Sequence, residues 1–244
     1  FERAEQYFPH KPIVTATGTG LERTTYGGWA ERTHRLGGVL DDLGITPDGR
    51  VGTFAWNTAS HLELYFAAPC TGRVLHTLNI RLFPEQLTYI VNHADDEVIF
   101  VDRSLLGLLA PQLPTFERLR HLVVMDDGKG PDPADVDLAG HTPLDYEELL
   151  AAASAVPFAQ PADENQAASM CYTSGTTGNP KGVIYSHRST FLHTMAAMLA
   201  DSVGVSEADT VLPVVPMFHA NAWGLAHAAV AAGSSLVMPG PDLS

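Results

Sequence analysis

Tyr172-Thr173-Ser174-Gly175-Thr176-Thr177-Gly178-Asn179-Pro180-Lys181-Gly182 gathers hydroxyls, glycines and one lysine between two apolar segments. That combination reads as a phosphate cradle. Glycines let successive backbone N–H groups converge on one anion, hydroxyls add donors, and an ammonium supplies a point charge. At an effective dielectric of about 20, such a charge at about 4 Å contributes roughly 4 kcal/mol. Residues 167–171 lead in and 182–185 lead out, both short and apolar, so the loop joins two strands. Hydroxyl- and glycine-rich runs also occur in ordinary solvated loops. Such a loop needs neither Pro180 before a lone lysine nor apolar strands on both sides. The GxxxxGK[ST] phosphate loop does not fit, because Pro180 precedes Lys181 and Gly182 follows it.

The 244 residues are 45% apolar, enough to bury a sizeable core in one large domain or two modest ones. Fourteen basic against 28 acidic residues give a formal charge of −14, which repels nucleic acid and anionic membrane surfaces. Any anionic ligand must be held by local groups. Cys70 and Cys171 sit in apolar contexts without a ligand pattern, so they read as reduced thiols, which suits the cytoplasm. No run reaches the length of a transmembrane helix, and the first residues lack the features of a signal peptide.

Outward from the loop, the pattern alternates. Residues 13–16 and 23–25 read as a hairpin turning at 18–20, and 26–43 as an amphipathic helix stopped by Gly44 and Pro47. Strands at 51–56, 74–78, 98–101 and 121–125 alternate with helices at 61–69, 84–93 and 105–109. This is an α/β pattern: a parallel sheet with helices on both faces and ligand loops at the strands' carboxyl ends. Between 126 and 142 Asp, Gly and Pro accumulate, which predicts an exposed excursion and a subdomain break over 126–165. A helix follows at 145–155. Beyond the loop the reading gives a helix over 186–200 with Phe191, Met195, Met198 and Leu199 on one face, a strand at 211–215, a helix over 221–232 and a strand at 235–238. The run Asp95-Asp96-Glu97 reads as a solvated turn.

A second block, Val215-Pro216-Met217-Phe218-His219-Ala220-Asn221-Ala222-Trp223, follows the loop. The two blocks in this order and separation resemble the adenylate-forming superfamily, and most closely its bacterial medium- and long-chain fatty acyl-CoA synthetases. The similarity extends to residues 76–82 and 89–94. It implies that residues 1–244 are part of the amino-terminal AMP-binding domain of an acid–thiol ligase. In such a ligase a fatty carboxylate attacks the α-phosphorus of MgATP and CoA then displaces AMP. Thr173, Ser174, Gly175, Thr176, Thr177, Gly178 and Lys181 become the phosphate contacts, with Thr173 also touching Mg²⁺. One hydroxyl does not hold Mg²⁺ by itself. Lys181 and His219 become the catalytic pair: His219 lies beside the acyl carboxylate and α-phosphate as a donor to developing charge, and Ala220 offers its backbone. Trp223 borders the acyl tunnel.

Bland readings stand beside these. A histidine after a valine-rich strand is by default a satisfied core residue, and Trp223 reads equally well as a packed helix residue. His76, His93, His187 and His193 show no metal-ligand spacing. The resemblance places the ribose aspartate, a metal-binding glutamate, the hinge and the carboxyl-terminal lysine beyond Ser244. The chain is therefore expected to be an incomplete fragment, inactive in isolation, from a protein that pairs as a homodimer. The alternatives are a non-catalytic nucleotide-binding module, or an adenylation domain for another carboxylic acid. Against an amino acid substrate stands the apolar stretch Ala228-Ala229-Val230-Ala231-Ala232, where peptide-synthetase-like domains carry an aspartate.

Overall fold

The computed structural model describes residues 1–173 and 179–241. Helix α1 (Glu2–Tyr7) precedes a hairpin of β1 (Pro12–Thr17) and β2 (Gly20–Thr25), which runs into α2 (Tyr26–Asp42). The Thr25 hydroxyl accepts from Gly28 N and starts that helix, and Gly44, at φ +63°, ends it. Then come β3 (Arg50–Phe54), α3 (Ala59–Cys70), β4 (Val74–Thr77), α4 (Pro84–Ala94), β5 (Asp96–Asp102), α5 (Leu106–Leu109) and β6 (His121–Met125). Next are β7 (Pro143–Asp145), α6 (Tyr146–Ala152), β8 (Ala167–Thr173), β9 (Lys181–Ser186) and α7 (His187–Met198). The chain closes with β10 (Thr210–Val211), α8 (Leu225–Ala232) and β11 (Ser235–Met238).

Two sheets form. The larger has seven strands in the order β7-β6-β5-β3-β4-β8-β9, parallel throughout except where β9 runs antiparallel to β8. The smaller has four, in the order β10-β11-β1-β2, with the hairpin as its antiparallel edge. Alternation along β5 shows why the larger sheet is buried on both faces. Val98 and Phe100 join one apolar cluster with α2, α3 and the smaller sheet, while Ile99 and Val101 join another with α4 and α5. Arg32 on α2 pairs with Glu63 on α3 at 2.7 Å and Glu147 on α6 at 2.6 Å, tying three helices together.

Several expectations need correction. The acidic run is not a solvated turn: Asp96 is fully buried as the first residue of β5, and both its oxygens lie 2.9 Å from His76 Nδ1. Burial pushes the Asp96 carboxyl above its usual range and His76 opposes that shift. The strand expected at 211–215 stops at Val211, because Pro213 has no N–H to give a ladder. The helix expected from 221 starts only at Leu225. The apolar face of α7 does not enter the core: Phe191 is 64% exposed, and the buried residues are Thr194 and Ala197. Periodicity marks an apolar face without naming what meets it. Residues 126–142 are largely exposed, and β6 and β8, which flank 126–165, belong to one sheet. Among the described residues no helix is long and apolar enough to cross a membrane.

His61 on α3 shows how tightly this fold closes over polar groups. Its Nδ1 lies 2.8 Å from the Trp56 carbonyl, which only accepts, so Nδ1 carries the proton and Nε2 accepts from Thr53 Oγ1 at 2.9 Å. Burial holds this neutral imidazole at about 4, against an ordinary 6.5. The unfolded chain therefore binds the extra proton first, and stability present above pH 6.5 is lost as pH falls towards 4, by about 3 kcal/mol for this residue. Urea titrations of wild type and His61→Gln should show a steeper acid loss in wild type; equal pH slopes would refute this.

Candidate active site

The carboxyl ends of β4 and β8 meet the start of β9, and there the site is built. Thr173 pairs across the ladder with Lys181, and Tyr172 with Gly182. The approach at Gly182 is close: a Cβ there would sit 3.2 Å from the Tyr172 ring, which would have to shift by a few tenths of an ångström. The Tyr172 hydroxyl lies 2.6 Å from His93 Nδ1, which fixes this end of β8 to α4. Lys181 is exposed, and among the described residues its ammonium has no partner. Thr173 Oγ1 lies 3.5 Å from the Lys181 carbonyl, the limit of a hydrogen bond. Ser174, Gly175, Thr176, Thr177 and Gly178 lie outside the described residues.

The second block reaches the same edge through a buried asparagine. Asn57, just past β3, donates from Nδ2 to the carbonyls of Pro213 (2.7 Å) and Val215 (3.0 Å), and its Oδ1 accepts from Met217 N at 2.7 Å. The Tyr65 hydroxyl donates to the Met217 carbonyl. From that fixed segment the chain enters a left-handed turn, with φ of +44° at Ala220, +48° at Asn221, +52° at Ala222 and +54° at Trp223. Each such L-residue costs about 1–2 kcal/mol, so something must hold the turn. Asn221 does so from within: its Nδ2 donates to Ser169 Oγ on β8 at 3.0 Å and its Oδ1 accepts from Thr77 on β4 at 3.3 Å. His193 on α7 donates from Nε2 to the Trp223 carbonyl at 2.9 Å, and Ala222 is fully buried.

This turn decides where the expected residues go. His219, at its start, is exposed, and among the described residues its ring has no hydrogen-bond partner. The backbone of Ala220 reaches the Cys171 thiol, which burial pushes up in pKa against the Tyr185 hydroxyl and that backbone contact. Ala220 thus sits two residues, roughly 7 Å, along β8 from Thr173. Trp223 is 63% exposed and so is not a core residue of this chain. Ala220 and Trp223 share the wall of a cavity of about 410 Å³ with Tyr185, Ser189, His193 and His227. His219, Thr173 and Lys181 lie outside that wall. Asn57, Asn221 and the left-handed turn were missed from the sequence, where only the position of Asn221 inside the second block signalled it.

The AMP-binding enzyme family matches residues 1–244, the whole chain. The chain belongs to that family. It is 48% identical over 232 residues to a 3-methylmercaptopropionyl-CoA ligase of Ruegeria pomeroyi, covering 93% of this chain and 42% of that relative. It is 46% identical over 243 residues to a long-chain-fatty-acid–CoA ligase of Thermus thermophilus, covering 99% of this chain and 42% of that one. The anthranilate CoA ligase AuaEII, solved with anthranoyl-AMP, superposes with a TM-score of 0.78 at 21% identity over 97% of this chain and 43% of its own, a likeness of fold. The chain thus spans less than half the length of these AMP-binding relatives.

Two substitutions test the turn. Asn57→Asp preserves shape but sets carboxylate oxygen against two carbonyls, and should cost more than about 3 kcal/mol in denaturant unfolding. Ala220→Gly relieves a left-handed residue and should raise stability by about 1 kcal/mol, whereas Ala231→Gly inside α8 should lower it by about as much. Equal losses from the two glycines would mean that residue 220 is not strained.

Proposed function

We propose that the protein containing this chain activates an apolar carboxylic acid, a fatty acid in the first instance, as an acyl-adenylate and passes the acyl group to CoA. The observation that carries this is the arrangement at one sheet edge. An exposed lysine without a partner among the described residues stands across from Thr173, two residues along β8 from the point where Ala220 opens an apolar cavity.

A carboxylate oxygen attacks the α-phosphorus, the bond to the bridging oxygen breaks, and pyrophosphate leaves. The CoA thiol sulfur then attacks the acyl carbon and AMP departs. Lys181, Thr173 and residues 174–178 take the phosphates, where a charge-assisted contact contributes roughly 1.5–3 kcal/mol. His219, without a hydrogen-bond partner among the described residues, donates to oxygen charge developing between carboxylate and phosphate. Ala220 presents backbone, and Trp223 edges the path of the acyl group. Mg²⁺ fits as part of the nucleotide substrate: among the described residues no three His, Cys, Asp or Glu side chains cluster to hold it, and Thr173 supplies a single oxygen. Pairing as a homodimer and work in the cytoplasm belong to the same proposal.

Full-length protein should catalyse fatty-acid-dependent exchange of pyrophosphate into ATP, and residues 1–244 alone should not. Lys181→Ala should slow adenylation tenfold or more while the CoA half-reaction suffers less. A full-length Lys181→Ala protein adenylating at the wild-type rate would remove the phosphates from this loop.

A further inference from the structure

Thr173 and Lys181 stand at an exposed edge, and one buried side chain joins that edge to the interior. Tyr172 is the last buried residue of β8, and Thr173 after it is exposed. Among the described residues β9 is the outermost strand of the larger sheet, and Lys181, Gly182, Val183 and Ile184 on it are all exposed. Resting on the function proposed above, we propose that Tyr172 is a positioning residue for adenylation: held from within by His93 and His76, its ring sets where Thr173 and Lys181 meet the phosphates of the nucleotide.

The inner side of the ring is fixed twice. Its hydroxyl lies 2.6 Å from His93 Nδ1 on α4, and the His93 ring itself stacks on Tyr89 of the same helix at 5.2 Å. Burial, with the Asp96 carboxylate behind it, pushes the Tyr172 phenol up to about 12, so it keeps its proton and is a donor for that nitrogen. The His76 ring packs on the Tyr172 ring at 5.2 Å. His76 is locked in turn, because both oxygens of Asp96 lie 2.9 Å from its Nδ1 and both residues are fully buried. Strand β3 runs between β4 and β5, so this pair has to cross it. It does so at Gly52, the residue opposite His76, where a Cβ would come 3.5 Å from Asp96 Cγ.

The outer side of the ring meets β9. Gly182 pairs with Tyr172 across the ladder, and a Cβ on it would sit 3.2 Å from the ring. Thr173 follows Tyr172 and Lys181 precedes Gly182, so a displacement of the ring reaches each through a single peptide unit. Contacts from an ammonium to a phosphate oxygen are short and directional. A misplacement of about 1 Å costs on the order of a hundredfold in rate, and a few tenths of an ångström then costs about three- to tenfold. A tyrosine that only filled the core would act differently: its loss would lower the melting temperature and leave the KM of each substrate where it was.

The test measures fatty-acid-dependent exchange of pyrophosphate into ATP by full-length protein, with KM for MgATP and for the acid and the melting temperature of each variant. Tyr172→Phe, which keeps the ring and loses the hydroxyl, should raise KM for MgATP about three- to tenfold and leave that for the acid within twofold. His93→Leu should do the same, the double variant should be no worse than either single one, and His93→Gln, whose amide oxygen accepts, should recover part of the loss. Gly182→Ala presses a methyl on the ring while suiting a strand better than glycine. It should raise KM for MgATP at an unchanged or higher melting temperature, which no packing role produces. A variant that has lost its fold leaves the decision to the others. If wild type exchanges pyrophosphate and Lys181→Ala slows it, yet folded Tyr172→Phe, His93→Leu and Gly182→Ala keep the KM for MgATP within twofold, Tyr172 is a core residue and the positioning role is overturned. If wild type shows no exchange, or Lys181→Ala matches it, the proposed function falls and takes this role with it.

Discussion

One buried side-chain amide, that of Asn57, joins the parts of this structure that matter to its chemistry. It stands past the carboxyl end of β3, its side chain holds three backbone positions of the segment before the left-handed turn, and its own carbonyl accepts from Gly240 N at 2.9 Å just after β11. The larger sheet, the smaller sheet and the second motif thus meet at one residue that is 1% exposed. No other neutral side chain offers two donors and an acceptor in so small a volume except glutamine, which is a methylene longer. With its partners satisfied the amide is stabilising; with any one missing the same burial becomes a penalty.

Held in this way, the segment can carry a turn that L-residues avoid. Four consecutive non-glycine residues in the left-handed region, at roughly 1–2 kcal/mol each, are sustained by Asn221 between β4 and β8, by His193 from α7 and by burial of Ala222. Stored strain of this kind gathers where a backbone must present groups in an unusual direction. Here the consequence is visible: His219 and Trp223 stand exposed on either side of a buried asparagine, where an ordinary helix would have turned them differently.

Electrostatics and hydrophobicity are separated in space. Against a formal charge of −14, Lys181 stands at the edge of the larger sheet without a partner among the described residues, while the apolar walls of α7, α8 and α3 lie on the other side of the turn. The substrate proposed above, with an anionic head and an apolar tail, fits that division.

How much of this was legible in the sequence follows from the range of the forces involved. Strand–helix alternation, the stop at Gly44, the hairpin at the amino end and the two strands that flank residues 174–178 are set by neighbours a few residues apart, and they lie where the sequence placed them. The loop and the second motif stand out in the sequence because each gathers an unusual set of side chains in a short space. The strand order, the antiparallel return of β9, the burial of Asp96 against His76 twenty residues earlier, and the role of Asn57 for a segment some 160 residues later depend on contacts that no local pattern encodes. The turn at Ala220–Trp223 is the sharpest case. Its small, helix-compatible residues predict a helix by local preference, and only hydrogen bonds from β4, β8 and α7, which exist once the sheet has assembled, outweigh that preference and set the opposite hand.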